Sequence, residues 1–292
     1  MRLRLRDREF DLEPGRPLLM GIVNASPDSF SDPGAHSLDE LVAQAHGQVL
    51  AGAALVDVGG ESGRTDRLSV SEEEEIARVT PLVERLDAAG VAVSVDTWRA
   101  PVARAAIDAG AGMINDVSGL SDTGVADACA GSGAALVITH TRLPPKHKGF
   151  PAYDDVVGDV LELLRERMDE AERHGVGEDQ LVLDPGIDLA KTPAESIEVL
   201  RRLPELSQLG RPLLVAVSRK DFLGALTGRP PAARQAGTLA ALGSAADGGA
   251  SILRVHDVGD AADFMGVRDA LSGVAPPPDG LELSEDLRRE PA

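Results

Sequence analysis

Short apolar runs alternate with amphipathic stretches along almost the whole chain. The runs are LLMGIVN (18–24), LVDVGG (55–60), AVSVDT (92–97), MINDV (113–117), ALVITH (135–140), LVLDP (181–185), LLVAVS (213–218) and ILRVHDV (252–258). Near-continuous apolarity of this kind suits parallel strands covered on both faces. The intervening stretches carry helix signals. Ser37 with Glu40, and Ser71 with Glu74, both have the spacing of a capping box, in which a serine and a later glutamate satisfy free amides at a helix start. YDDVVGDVLELLRERMDEAERH (153–174) has helical periodicity and charge. Eight strand–helix units in a row predict a closed (β/α)8 TIM barrel, with a doubly wound open sheet as the alternative.

The repeat leaves two flanks. Residues 1–13 alternate charged and apolar positions and predict a small hairpin against the barrel. From 275 the chain turns proline-rich and acidic (APPPDGLELSEDLRREPA), and disorder is expected there. The expected organisation is one barrel domain over 1–274 and a tail over 275–292.

Composition narrows the function classes. With 292 residues the chain has the length of one α/β barrel. Its net charge of −19 repels phosphate backbones and anionic lipid, so neither a nucleic acid nor a membrane surface is an expected partner. The single cysteine, Cys129, allows no internal disulfide, and its expected role is packing. The N-terminus lacks the unbroken apolar stretch of a secretion signal, and no run of some 18 apolar residues predicts a membrane span. A cytoplasmic protein is expected.

In such barrels the active site lies at the C-terminal ends of the strands. Here those ends carry Asn24, Glu61, Asp96, Asn115 with Asp116, His140, Asp184, Ser218-Arg219-Lys220, and Arg254 with His256 and Asp257. One such residue is ordinarily a helix cap or turn former. Recurrence on every strand calls for a ligand. A carboxylate such as Asp96 or Asp184 can accept paired hydrogen bonds from an amidine-like heterocycle edge, and Asn115 offers a donor and an acceptor. Lys220, Arg254 and His256 stand where barrels commonly bind phosphate. The pattern predicts a site for a polar heterocycle joined to a phosphate group. No Walker A loop, strand-following GxGxxG or nucleophile elbow suggests otherwise.

At these residues the chain resembles the dihydropteroate synthase family over about 18–272. MGIVNASPDSFSD (20–32), DVGGES (57–62), SVDT (94–97), IND (114–116), DPGI (184–187), SRK (218–220) and RVHD (254–257) follow in the family's order. The resemblance implies a transferase of folate biosynthesis. It would condense 6-hydroxymethyl-7,8-dihydropterin diphosphate with p-aminobenzoate to give 7,8-dihydropteroate and diphosphate, and would be a sulfonamide target. It implies that Asp96, Asn115, Asp184 and Lys220 hold the pterin and that Arg254 and His256 hold the diphosphate, with Lys220, Arg254 and His256 as the catalytic group. It further implies that Asn24 helps place a magnesium ion, and that Ser218 and the following helix start meet the benzoate carboxylate. Phe30 and Arg64, on the loops after the first two strands, would lie by the second substrate, and Phe30 would otherwise pack its loop. A homodimer through the helical ring is also implied.

The chain departs from the family pattern at three places. The usual serine-threonine-arginine-proline-glycine reads Ser62-Gly63-Arg64-Thr65-Asp66, methionines flanking the histidine of strand five are Thr139 and Thr141, and glycine-phenylalanine-glycine-lysine after DPGI is Asp188-Leu189-Ala190-Lys191. These departures predict weaker handling of p-aminobenzoate on an intact pterin edge. They keep open a diverged pterin-binding paralogue with little synthase activity. A pterin-dependent methyltransferase is opposed by SRK and RVHD, since it has no diphosphate to hold.

Overall fold

A computed structural model describes residues 1–25, 37–61, 68–277 and 279–288. After an antiparallel hairpin of β1 (Arg2–Leu5) and β2 (Arg8–Asp11) come eight parallel strands. They are β3 (Leu18–Asn24), β4 (Leu55–Gly59), β5 (Val93–Asp96), β6 (Met113–Asp116), β7 (Ala135–Thr139), β8 (Leu181–Asp184), β9 (Leu214–Val215) and β10 (Ile252–Val255). Their order is β8-β7-β6-β5-β4-β3-β10-β9. A bridge between Leu183 and Leu213, with the Leu183 amide donating to Pro212 O at 2.9 Å, joins the two ends. The ring is therefore a closed barrel, and the open doubly wound sheet is excluded. β9 is shorter than its apolar run because the chain leaves the ladder for the Ser218–Lys220 turn, where Arg219 adopts φ +60°.

Nine helices among the described residues surround the barrel: α1 (Leu38–Leu50), α2 (Glu72–Ala88), α3 (Ala100–Asp108), α4 (Gly124–Ser132), α5 (Val156–Arg173), α6 (Pro193–Arg201), α7 (Asp221–Thr227), α8 (Gln235–Asp247) and α9 (Val258–Ser272). The capping box at α1 is complete: Glu40 N–H donates to Ser37 Oγ at 3.3 Å and Ser37 N–H to Glu40 Oε2 at 2.7 Å. At α2 only half of the expected box forms. Ser71 accepts from Glu74 N–H at 3.2 Å, while the Glu74 carboxylate turns to Arg78 one helical turn on.

The two-residue strand period sorts the side chains. Val23, Val56, Val58, Val95, Ile114, Leu136, Leu183 and Leu253 pack outward against the helices. Met20, Leu55, Met113, Val137, Val182, Leu214 and Ile252 pack inward. Leu3, Leu5 and Leu12 of the hairpin segment join the inner cluster and close the N-terminal end of the barrel. Each such buried leucine contributes about 1.5–3 kcal/mol. The core thus fills the bottom of the barrel and leaves the top to polar residues. Among the described residues, no helix is long and apolar enough to cross a membrane. The described part of the tail is largely exposed and forms one 3-10 turn over Glu285–Arg288.

Candidate active site

The inward parity continues from the core into the mouth. Above Leu55 comes Asp57; above Met113, Asn115; above Val137, Thr139; above Val182, Asp184; and above Ile252, Arg254 and His256. Sheet register also aligns Asn24, Gly59, Asp96 and Asn115 across four neighbouring strands. The predicted residues Asn24, Asp96, Asn115, Asp184, Ser218, Lys220, Arg254 and His256 therefore share one end of the barrel.

The hub is Asp57, which is fully buried. It accepts from Ser94 Oγ at 2.6 Å, Asn115 Nδ2 at 3.0 Å and Arg254 Nε at 2.7 Å. Arg254 also donates through Nη2 to Asp96 at 3.3 Å. A buried carboxylate is costly without hydrogen-bond partners, and these donors satisfy it. Its grip on Asn115 fixes that amide, directing Nδ2 to Asp57 and leaving Oδ1 as a buried acceptor without a partner. Burial, then the nearby Asp57 charge, pushes the Asp96 carboxyl up to about 7, against the pull of Arg254. The Asp184 carboxyl is also raised by burial, while the Gly186 amide, donating at 2.7 Å to Oδ1, and the Lys220 charge oppose the shift.

Lys220 donates from Nζ to Ile187 O at 3.0 Å, which ties the SRK turn to the DPGI loop. His256 Nδ1 meets Ser218 Oγ at 2.9 Å. Burial, then Arg254, Arg219 and Lys220, pulls His256 down to about 3, so its ring is neutral at physiological pH. Among the described residues, the cationic groups of the mouth are accordingly Arg254 and Lys220. Arg219, the middle residue of SRK, donates from Nη2 to both carboxylate oxygens of Asp257, at 2.9 Å each.

Three other strand-end residues turn away from the mouth because their parity is outward or they fall past the ladder. Asp116 accepts from Ser118 N–H at 2.7 Å and Leu120 N–H at 3.1 Å. Glu61 is held by Arg99 at 2.8 Å and Lys146 at 3.3 Å. His140 lies between Asp159, 2.7 Å from Nε2, and the Lys191 ammonium, 2.7 Å from Nδ1. Lys191 is about 1 % exposed and also donates to Gly186 O at 2.9 Å and Leu189 O at 3.2 Å. Burial pulls it down to about 7, yet its partners are all acceptors, an environment that fits the charged form. Phe30, Arg64 and the altered second loop lie outside the described residues.

Asp57 and Lys191 were not singled out from sequence as site residues. Asp57 had a usable signal, a carboxylate at inward parity in an otherwise apolar strand. Lys191 had none, since its partners are brought together only by the loop geometry. Asp188 and Ala190, which replace family glycines, adopt φ +62° and +51°. That conformation explains glycine there, and Asp188 recovers part of the cost by accepting from the Phe222 and Asp221 amides at the start of α7.

Among the described residues, no group of three or more His, Cys, Asp or Glu side chains could hold a metal ion. Asn24 contributes a single neutral oxygen. Such a donor set fits a magnesium that keeps its waters and is bound mainly through substrate phosphates, and does not fit a protein-enclosed ion.

Comparison with known proteins agrees with this geometry. The sequence model of the pterin-binding enzyme family matches residues 20–256. The dihydropteroate synthase of Synechocystis is 41 % identical over 261 residues, 88 % of this chain and 90 % of that protein. The structure of Xanthomonas albilineans dihydropteroate synthase with 4-aminobenzoic acid superposes with a TM-score of 0.86 at 43 % identity, covering 94 % of this chain and 99 % of that one. The same enzyme in complex with 7,8-dihydropteroate gives a TM-score of 0.84 at 42 % identity, covering 94 % and 100 %. The chain belongs to the dihydropteroate synthase family of pterin-binding enzymes.

Proposed function

We propose that this transferase condenses 6-hydroxymethyl-7,8-dihydropterin diphosphate with p-aminobenzoate in folate biosynthesis. The observation that carries the reading is the pair of fixed acceptors, Asp184 and the unpaired Asn115 Oδ1, in a mouth that also holds Arg254 and Lys220. An amino-pyrimidinone ring presents donors to such acceptors. Asp184 and Asn115 orient the ring, and Lys220 donates to it from the side of the DPGI loop. Asp96 sits within reach of Arg254 and completes the pterin end.

The reaction breaks the bond between the pterin methylene carbon and the diphosphate oxygen. The p-aminobenzoate nitrogen forms the new bond to that carbon and loses a proton, and diphosphate carries away the electron pair. Positioning and charge stabilisation suffice for such a displacement, and no covalent nucleophile is needed. Arg254 offers positive charge to the leaving group, and neutral His256 can donate an N–H to it. Ser218, bonded to His256, and the turn before α7 receive the benzoate carboxylate, with Phe30 and Arg64 acting from the two loops. Magnesium held by Asn24 and the phosphate oxygens would neutralise charge on the leaving diphosphate. Chelation should lower turnover, and added magnesium should restore it.

The same reading carries a cytoplasmic place, in keeping with the free, buried thiol of Cys129. It also carries a homodimer. Between α8 and α9 runs a groove lined by Gly243, Phe264, Val267 and Leu271, with Val267 and Leu271 largely exposed. A second copy of this chain is the proposed occupant, and light scattering after size exclusion tests it: a monomer at micromolar concentration would reject it. The synthase reading is tested by mass spectrometry of the products from both substrates. It predicts 7,8-dihydropteroate; a protein that binds pterin but makes no such product would be the diverged paralogue.

A further inference from the structure

Thr139 closes β7 with its side chain on the inward face, following Ala135 and Val137 of the inner cluster, whereas Leu136 and Ile138 pack outward. Register places Thr139 directly beside Asp184 on β8. The residue is about 1 % exposed, and its hydroxyl oxygen is buried with no hydrogen-bond partner. An unpaired buried hydroxyl is costly, and native structures rarely keep one. A β-branched apolar residue of the same shape, such as valine, would fill this position without that cost. The nearest other unpaired acceptor by strand position is Asn115 Oδ1, on β6. Thr139 is therefore the immediate neighbour of the inward carboxylate that is proposed to grip the pterin, and Asn115 lies one strand further on the same side.

We propose that Thr139 is a substrate-contacting specificity residue whose hydroxyl pairs with the amino-pyrimidinone edge of the pterin alongside Asp184. The inference rests on the pterin reading of the site and adds a contact that the family's usual methionine at this position could not make. Occupation by ligand removes the orphan, so the hydroxyl opposes folding of the free protein and favours the complex. A purely structural threonine would do neither.

Opposite signs in the two measurements make the test sharp. Thr139→Val, Thr139→Ser and Asp184→Asn are compared with the parent by calorimetry with 6-hydroxymethylpterin and by urea unfolding without ligand. Thr139→Val should bind pterin about three- to tenfold more weakly, the effect of one neutral hydrogen bond, while unfolding at equal or higher urea. Thr139→Ser keeps the hydroxyl and should bind within about twofold of the parent. Steady-state kinetics should show the valine effect in KM for the pterin diphosphate, with KM for p-aminobenzoate at saturating pterin unchanged. If Asp184→Asn abolishes binding while Thr139→Val binds as the parent does, this proposal is overturned and the pterin reading stands. If Asp184→Asn also binds normally, the pterin is not gripped here and both fall. Loss of urea stability in Thr139→Val would show that the hydroxyl is satisfied within the fold, and would overturn the proposal on its own.

Discussion

Replacing Arg254 with methionine should destabilise the free protein more at alkaline than at acid pH. The guanidinium bridges Asp57 at 2.7 Å and Asp96 at 3.3 Å. Removing one partner of a buried pair typically costs about 3–5 kcal/mol, because the remaining charge stays buried. Asp57 is fully buried but keeps two neutral donors, Ser94 and Asn115, and Asp96 is about a quarter exposed and can recruit water. Both points favour the lower end, about 3 kcal/mol, or roughly two decades in the unfolding constant. The sign of the pH dependence follows from linkage. The Asp96 carboxyl already stands near 7 in the folded protein against an ordinary 3.8, so the folded state binds this proton more tightly than the unfolded chain. Stability from that group is present at low pH and declines as pH rises from about 4 to about 7. Without Arg254 the Asp96 carboxyl rises further, and the penalty should be larger at pH 8 than at pH 5. Urea unfolding followed by far-ultraviolet circular dichroism measures it. Arg254→Met combined with Asp57→Asn should recover part of the loss, since the stranded charge is gone. A penalty below about 1 kcal/mol at pH 8, or an equal penalty at both pH values, would refute the buried-pair account.

The other expectations concern separate parts of the mouth. Asp184→Asn should weaken pterin binding by on the order of 1.5–3 kcal/mol in calorimetry, as an amide accepts at one oxygen only. Nitrogen NMR of His256 in the free protein should show no titration between pH 5 and 8, since burial and three neighbouring cations hold it near 3; a step close to 6.5 would contradict this. Lys191→Met removes the buried donor to His140 Nδ1 and to the Gly186 and Leu189 carbonyls and should cost on the order of 3 kcal/mol in urea unfolding, whereas an unchanged midpoint would mean the clasp contributes nothing. Gly63→Thr with Thr65→Pro and Asp66→Gly should tighten use of p-aminobenzoate and raise sulfonamide sensitivity in steady-state kinetics, by cutting loop entropy and removing a negative charge. No change in either would show that these differences are neutral.

The barrel was legible because each strand lies in a near-continuous apolar run and some helices begin with their own signals, as α1 and α2 do at Ser37 and Ser71. Polar endings on every strand gave the position of the site, since a core does not choose Asn115 or Asp184. Partnership was less legible. Arg254 reads as a phosphate ligand in the sequence, yet its guanidinium is also the counter-charge of Asp57, six strands away in chain order. His256 reads as part of a basic cluster, and only burial beside Arg254 and Lys220 reveals that it is neutral. His140 looks like its neighbours at other strand ends, but the two-residue period turns it outward to Lys191. In each case the deciding fact is a long-range contact or a side-chain parity, which local composition does not encode.

The central claim, a pterin diphosphate displacement by an aromatic amine, is tested most directly by diphosphate release. The purified protein is given 6-hydroxymethyl-7,8-dihydropterin diphosphate and magnesium, with and without p-aminobenzoate, and diphosphate is followed over many turnovers. Release that is sustained and rises in a saturable way with p-aminobenzoate is the predicted result. Release that is absent, or that is the same without p-aminobenzoate, would contradict it.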